Sequence, residues 1–269
     1  MKLHYEKLGS GHPLIILHGL YGSGGNWLRI AELLSDICEV YMVDQRNHGK
    51  SPHSNQHSYP LLMDDLNDLI NELDLNKVML LGHSMGGKTA MYYATQYPMR
   101  ISKLIVVDIS PLPYEHKKND DSANHGHRQI ISALRSLDLS ILNNLREIDD
   151  KLVNSLPDKR LRQFLYKNLK RQTGEKYKWI INLDGLYNNI NSLLDGLLPD
   201  QLPEGGYDQF PVLFFKGQQS QYIKAADEDA IKMIFPEAEI KRIQKAGHWL
   251  HAEQPEIFIN TVKHFLLNT

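Results

Sequence analysis

One short segment of the sequence, residues 82–89, has the residue types for two different chemistries. It reads Gly-His-Ser-Met-Gly-Gly-Lys-Thr. As Gly-x-Ser-x-Gly it predicts a nucleophile elbow, in which Ser84 attacks a carbonyl carbon. As Gly-x4-Gly-Lys-Thr it predicts a phosphate-binding loop (P-loop), in which Lys88 contacts a nucleotide. Both motifs need a strand before them and a helix after them, so residues elsewhere in the chain must decide between them.

The elbow interpretation requires a base, because a serine hydroxyl is a weak nucleophile until its proton is removed. His248 lies in Gly-His-Trp, after the last predicted strand and before the last predicted helix. The loop at residues 18–22, His-Gly-Leu-Tyr-Gly, follows an early buried strand and can supply a backbone N–H to an oxyanion hole. The P-loop interpretation explains neither feature. We therefore predict Ser84 as the nucleophile and His248 as the general base.

Two aspartates are candidates for the acid that would orient His248. The loop at residues 216–222, after the first strand beyond the helical region, contains no carboxylate. Asp108 ends the preceding predicted strand, which should lie between the elbow strand and the strand at 211–215. Its side chain can therefore reach the same imidazole. Asp227 is the alternative acid, and a Ser-His pair that needs no acid is the third possibility.

Strand-length apolar runs alternate with amphipathic helical patterns on both sides of a region that has only helical patterns. Before that region the strand-like runs are residues 14–17, 40–43, 78–81 and 104–107. Such alternation predicts a mostly parallel sheet with helices on both faces. From Pro111 to about residue 205 no strand-like run occurs. We therefore predict a core of residues 1–110 and 206–269, with a helical cap of residues 111–205 inserted in it.

The composition excludes several classes of protein. The chain has 269 residues, of which 42% are apolar, and a net charge of −2. These values are typical of a globular protein with a large core, and they argue against general nucleic-acid binding. The single cysteine, Cys38, excludes a disulfide scaffold. Because no apolar run is long enough to cross a membrane and the charged N-terminal residues do not form a signal peptide, we expect a cytoplasmic protein.

The motifs together resemble the α/β-hydrolase superfamily, and specifically its small bacterial carboxylesterases and thioesterases with a helical cap. The resemblance is carried by five blocks in the order of that family, at residues 18–22, 44–52, 82–88, 108–111 and 247–253. It implies an α/β fold with a mostly parallel eight-stranded sheet. It also implies hydrolysis of acyl esters and acyl thioesters without a cofactor or a metal ion.

The resemblance implies roles for individual residues as well. It favours Asp108, in Asp-Ile-Ser-Pro, as the acid of the triad, with Asp227 as the alternative. The backbone N–H groups of Leu20 and Met85 are the expected donors of the oxyanion hole. Tyr21 and Trp249, which neighbour these groups in the sequence, are the expected residues of the substrate pocket.

The predicted function is therefore a serine hydrolase that cleaves a small-molecule ester or acyl thioester through an acyl-enzyme. Ser84 stands where epoxide hydrolases and haloalkane dehalogenases carry an aspartate, which disfavours those activities. Two alternatives belong to other classes of function. One is a hydrolase-fold receptor that binds a ligand in its covered pocket with little turnover. The other is a P-loop nucleotide hydrolase.

A strongly basic segment lies within the predicted cap. Residues 159–178 contain eight Lys and Arg residues and one acid, Glu175, with apolar positions at helical spacing. Such a segment is most simply a solvated helix face. It is also suited to attract an anionic substrate such as a coenzyme A thioester, or to bind a membrane surface.

Overall fold

A computed structural model describes residues 1–114, 122–172, 176–197 and 202–268, and the side chains of 122–125 are left out of the description. The strands are β1 His4–Leu8, β2 Pro13–Leu17, β3 Glu39–Asp44, β4 Val78–His83, β5 Ile101–Val107, β6 Leu169–Arg171, β7 Tyr177–Trp179, β8 Val212–Gly217 and β9 Glu239–Ile243. The helices are α1 Leu28–Leu34, α2 Tyr59–Glu72, α3 Met85–Gln96, α4 Ser122–Arg135, α5 Leu145–Leu152, α6 Lys159–Leu165, α7 Leu183–Asn188, α8 Ala225–Ile234, α9 Leu250–Glu253 and α10 Pro255–Asn268.

Seven of the strands form one sheet in the order β1-β3-β2-β4-β5-β8-β9. All neighbouring strands are parallel except β1, which runs antiparallel to β3. The order places β5 between β4 and β8, as the sequence predicts. The resemblance implies eight strands, and the described residues form seven in this sheet. The expectation of eight strands is therefore corrected to seven for the described residues.

The apolar strands bury both of their faces, which is why they read as continuous apolar runs rather than as alternating ones. Within β2, Leu14 and Ile16 pack in a cluster with residues of α1 and α10. Ile15 and Leu17 point to the other face and join a cluster with residues of α2, α3 and α8. The sheet is therefore a central layer between two layers of helices.

The chain between β5 and β8 forms a third apolar cluster, built from α4 to α7 together with the core residues Tyr21, Tyr59, Leu62 and Met85. The helical patterns predicted there are present, but the prediction that the region has no strand is wrong. β6 and β7 pair as an antiparallel hairpin with Leu169 opposite Trp179. The helical spacing of apolar residues in 159–178 is realised only in part, because α6 ends at Leu165. A three-residue strand is stabilised by its partner, and such a partner is not visible in local periodicity.

Four histidines are buried at or near the carboxyl edge of the sheet, His18, His48, His57 and His83, and His251, which contacts His83, is partly buried. Burial lowers the pKa of each imidazole, because the charged form loses its hydration. For His57 and His251 it lowers the pKa to about 3. These side chains are therefore neutral in the folded protein at neutral pH.

We expect the free energy of unfolding to fall as the pH falls below about 6.5, the pKa of a histidine in an unfolded chain. Below that pH the unfolded state binds protons that the folded state does not bind, so the stabilisation present above pH 6.5 is lost toward the lower folded pKa values. One such histidine contributes about 2 kcal/mol between pH 7 and pH 5. Urea unfolding at both pH values should show at least this decrease. The substitution His251→Gln should reduce the pH slope, and a stability that is constant over this range would contradict the prediction.

Candidate active site

Ser84 lies at the sharp turn between β4 and α3, at the carboxyl edge of the sheet. Its backbone has φ 53°, a left-handed conformation that costs a serine roughly 1–3 kcal/mol. The Ser84 N–H donates to the carbonyl oxygen of Val107, 3.0 Å away, which joins the turn to the end of β5. A Cβ on Gly86 would lie 2.3 Å from the carbonyl oxygen of Leu17, so only glycine lets α3 pack this closely on β2. The close approach of α3 fixes Ser84 at the end of its strand.

His248 follows β9 and contacts Asp108, which follows β5. Its Nδ1 lies 2.8 Å from Oδ2 of Asp108. Because the ionised carboxylate can only accept, Nδ1 carries the proton and Nε2 is left with a lone pair. An imidazole in this tautomer can take a proton through Nε2. No hydrogen bond joins Ser84 Oγ to the imidazole in the described residues, and such contacts commonly tighten only when substrate binds.

Asp108 is fully buried and is held from several directions. Its Oδ1 accepts from the N–H of Gly217, 2.9 Å away, and its Oδ2 also accepts from the hydroxyl of Ser220. Its own N–H donates to Phe215 at 2.9 Å, with φ at 52°. These bonds compensate for the burial of the carboxylate and aim one oxygen at His248.

The alternative acid, Asp227, lies elsewhere. It is in the first turn of α8, where its Oδ2 accepts from the N–H of Lys224 at 2.7 Å. This is the usual position of an acidic side chain that caps a helix. Among the described residues, the carboxylate within hydrogen-bonding distance of His248 is that of Asp108.

Two further side chains hold His248, one at its ring and one at its backbone, and neither was predicted from the sequence to do so. The ring of Tyr222 stacks on His248 with centroids 3.8 Å apart and an interplanar angle of 20°. Nε2 of His83, the residue before Ser84, donates to the carbonyl oxygen of His248 at 2.9 Å. Tyr222 and Ser220 both lie on the loop after β8, and β8 neighbours β5 in the sheet. Because β8 was predicted to neighbour β5, the sequence did indicate that the loop after β8 would lie near Asp108 and His248.

The loop of the expected oxyanion hole is fixed by neutral histidines. Nδ1 of His48 donates to the carbonyl oxygen of Arg46 at 2.9 Å, so its Nε2 can accept the N–H of Tyr21 at 3.3 Å. Tyr21 itself has φ 63°. At Gly19 a Cβ would lie 3.2 Å from Cβ of Ser84, so the absence of a side chain lets this loop approach the elbow. The loop is thus held where Leu20 lines the same cavity as Ser84 and Met85.

Met85 is the first residue of α3. The first N–H groups of a helix have no acceptor within the helix, which leaves that of Met85 available to a ligand. The geometry is therefore compatible with the two backbone donors expected from the sequence.

A narrow cavity of about 30 Å³ lies against Ser84. It is lined by Leu20, Tyr59, Ser84, Met85, Ile109, Tyr114, His127, Leu193, Leu194 and Tyr222. Burial raises the pKa of Tyr222 to about 12 and lowers that of His127 to about 4, so both are uncharged near neutral pH. The lining is thus mostly apolar and carries no formal charge from these groups, which suits an acyl chain.

The two residues that sequence analysis expected in the pocket, Tyr21 and Trp249, are not among those that line this cavity. The Tyr21 hydroxyl lies 3.2 Å from Nδ1 of His127, which lines the cavity, so Tyr21 contacts the lining from behind. Trp249 packs on Phe164 of α6, with ring centroids 5.5 Å apart. The positions of Tyr21 and Trp249 next to Leu20 and His248 in the sequence do not indicate which residues their side chains contact. His127, Tyr114 and Tyr59 line the cavity instead.

Lys88 does not have the environment that a P-loop requires. The residue is 1% exposed, and its ammonium donates to the carbonyl oxygens of Leu112, at 3.1 Å, and of Asp195. A P-loop lysine must instead face a phosphate group. The P-loop interpretation therefore does not fit the structure.

Within the described ranges, no three His, Cys, Asp or Glu side chains are grouped so that they could hold a metal ion. The helices of the same ranges include none with both the length and the hydropathy needed to cross a bilayer.

Comparison with known proteins agrees with this architecture. A family profile described as alpha/beta hydrolase fold matches residues 12–255. The chain is 37% identical over 268 residues to the sn-1-specific diacylglycerol lipase ABHD11 of Danio rerio, covering 97% of this chain and 80% of that protein. It is 29% identical over 254 residues to Esterase YbfF of Escherichia coli, covering 94% of this chain and 92% of that protein.

A solved structure of a marine microorganism esterase superimposes with a TM-score of 0.90 at 44% sequence identity, covering 98% of this chain and 99% of that one. Profile, relatives and solved structure agree on the fold. The chain belongs to the α/β-hydrolase family.

Proposed function

We propose that this protein is a serine hydrolase that cleaves carboxylic esters or acyl thioesters of small molecules through an acyl-enzyme. The observation that carries the proposal is the 2.8 Å contact between Asp108 and Nδ1 of His248, at the sheet edge where Ser84 stands in its elbow. The names of the relatives, which are esterases and lipases, support the ester part of the proposal.

Acylation follows from the tautomer of His248. Nε2 accepts the proton of Ser84 as Oγ attacks the substrate carbonyl carbon. The N–H groups of Leu20 and Met85 donate hydrogen bonds to the oxyanion that forms. Asp108 stabilises the imidazolium by accepting from Nδ1–H. His248 then gives its proton to the departing alkoxide or thiolate, and the acyl group stays on Ser84.

Deacylation repeats the same proton transfers with water as the nucleophile. His248 accepts a proton from water, the oxyanion forms again in the same site, and the proton returns to Ser84 Oγ as the carboxylic acid leaves. The chain's own residues account for each proton in both halves, so the proposal includes no cofactor.

The division of the chain is part of the proposal, with residues 1–110 and 206–269 as the core and 111–205 as the cap. The cap contacts the catalytic loops directly. Nδ2 of Asn168 donates to the carbonyl oxygen of Tyr21 at 2.8 Å, and the N–H of Asn182 donates to that of Asn47 at 2.9 Å. The cavity against Ser84 is narrow, about 30 Å³, and we propose that the cap shifts to admit an acyl chain.

Substitution of Ser84 and of Asp108 tests the triad. Hydrolysis of p-nitrophenyl esters from acetate to octanoate should fall by at least about 10⁴-fold in Ser84→Ala, because the nucleophile is lost. Asp108→Asn should lose about 10⁴-fold in kcat, because the amide favours the wrong tautomer of His248. Steady-state kinetics on the ester series measure both effects, and the chain-length profile reports the size of the acyl pocket.

Asp227→Asn is the matched control, since it makes the same chemical change at the alternative acid. It should keep kcat within about twofold of wild type. A large loss in Asp227→Asn with a small one in Asp108→Asn would overturn the assignment of the acid. A folded wild type that hydrolyses no ester, yet binds a ligand in the cavity, would favour the receptor alternative.

The thioester part of the proposal rests on the basic segment 159–178. Arg162 is buried and pairs with Asp149, Nε to Oδ1 at 2.7 Å, so it is not available to a substrate. The other seven are exposed: Lys159, Arg160, Lys167, Lys170, Arg171, Lys176 and Lys178.

This segment lies beside the loop of His248. Phe164 packs on Trp249, and the positive charge of Lys167 contributes to the lowered pKa of His251. An anionic leaving group such as coenzyme A would therefore be attracted toward the triad.

Raising the ionic strength from about 0.02 to 0.3 M should lower kcat/KM for a coenzyme A thioester by at least about threefold, because salt screens the attraction. The value for a neutral ester with the same acyl group should stay nearly constant. The double substitution Lys167→Gln/Lys170→Gln should reproduce the loss at low salt. Lys77→Gln, which removes an exposed charge before β4 at the opposite edge of the sheet, is the control. Equal salt effects on both substrates would contradict electrostatic steering.

A further inference from the structure

Both connections between the cap and the core pass over the elbow helix α3. Leu112 lies on the way from β5 into the cap, and Asp195 lies on the way back. The Lys88 ammonium donates to the carbonyl oxygens of both, and the Tyr92 hydroxyl donates to that of Gly196 at 2.8 Å. Lys88 and Tyr92 lie on α3, one and two turns after Ser84. One helix thus holds the nucleophile and both connections.

The environment of Lys88 shows that its contacts are specific. The ammonium lies 4.6 Å from the ring centroid of Tyr114 and 5.5 Å from that of Tyr59, within range of cation–π attraction. Burial lowers its pKa to about 7, with Asp195 and Asp227 acting in the opposite direction. An ammonium is expensive to bury unless it is well bonded. The Lys88 ammonium therefore has specific partners, and the residue does more than pack against apolar neighbours.

The two connections are also bonded to each other. The N–H of Tyr114 donates to the carbonyl oxygen of Leu194 at 2.8 Å, and the N–H of Leu197 donates to that of Pro111 at 2.8 Å. Tyr114, Leu193 and Leu194 line the cavity at Ser84. The paired connections are thus one wall of the pocket.

We propose that Lys88, assisted by Tyr92, is a clamp by which the elbow helix holds both connections of the cap, and that this clamp sets the shape of the acyl pocket. Lys88 is a positioning residue, since it contacts the wall of the pocket rather than the reacting atoms. The structural half of the proposal stands whatever chemistry Ser84 performs. The half that concerns substrates rests on the proposed function.

The chain offers a matched control for this clamp. Lys103, on β5, is 9% exposed and its ammonium also donates to two backbone carbonyls, those of Phe265 at 3.0 Å and Leu266 at 2.8 Å. Those carbonyls belong to α10, in the cluster on the face of the sheet away from α3. Lys103→Met and Lys88→Met therefore remove the same kind of buried contact. Only Lys88→Met removes a contact with the connections of the cap.

Hydrogen exchange of the full-length variants tests the structural half. Both substitutions should lower the stability of the protein. Lys88→Met should also raise the exchange rates of the amides of Tyr114 and Leu197 by at least about tenfold relative to wild type, because the paired connections open locally. Lys103→Met should leave those two amides within about twofold of wild type. Equal changes at these amides in both variants, or no change in Lys88→Met, would overturn the clamp.

Kinetics on the ester series test the other half. Lys88→Met should raise KM for the octanoate ester by at least about fivefold while kcat for the acetate ester stays within about threefold, since the triad is not altered. Parallel losses of kcat on all esters would show a general defect and contradict a role in the pocket. If the protein proves inactive on esters, the exchange measurement still decides whether the clamp exists.

Tyr92→Phe is a milder variant in case Lys88→Met does not fold. It removes the hydroxyl that bonds to Gly196 and leaves the ring in place. It should raise exchange at Leu197, next to Gly196, with unchanged exchange in α10. An exchange rate at Leu197 equal to that of wild type would contradict the role of α3 in holding the return connection.

Discussion

The buried carboxylate of Asp108 joins three parts of the chain that are far apart in sequence. It accepts from Nδ1 of His248 after β9 and from Gly217 and Ser220 after β8, while Asp108 itself ends β5. A buried charge of this kind is stable only when it is surrounded by donors. The site therefore depends on the sheet order β4-β5-β8-β9, which brings these strand ends side by side. Any change in that order would leave the carboxylate without donors and His248 without its tautomer.

The buried strands β2, β3, β4, β5 and β8, the elbow motif and the loop of His248 could be predicted from the sequence. Each of these depends on a local pattern, such as an apolar run, a helical repeat or glycines around a serine. The acid could not be assigned from local pattern alone, because the choice between Asp108 and Asp227 depends on which strands are neighbours. The expectation of an eighth strand came from the resemblance alone, and no apolar run in the sequence supports it.

Side-chain contacts between distant segments were the least predictable. Tyr222 stacks on His248 and Lys88 donates to Leu112 and Asp195, but no spacing in the sequence links these residues. The hairpin β6–β7 escaped prediction for the same reason, since three-residue strands exist only through pairing. Tyr21 and Trp249 are expected in the pocket because of their neighbours in sequence; neither lines the cavity at Ser84, but Tyr21 bonds to His127, which does.

The most direct test of the account is rapid-quench mass spectrometry of the wild-type protein with p-nitrophenyl octanoate. A serine that attacks through an acyl-enzyme must carry the octanoyl group transiently. We expect a mass increase of one octanoyl group on the peptide that contains Ser84, and none in Ser84→Ala. Turnover without an adduct on that peptide, or an adduct on another residue that persists in Ser84→Ala, would contradict it.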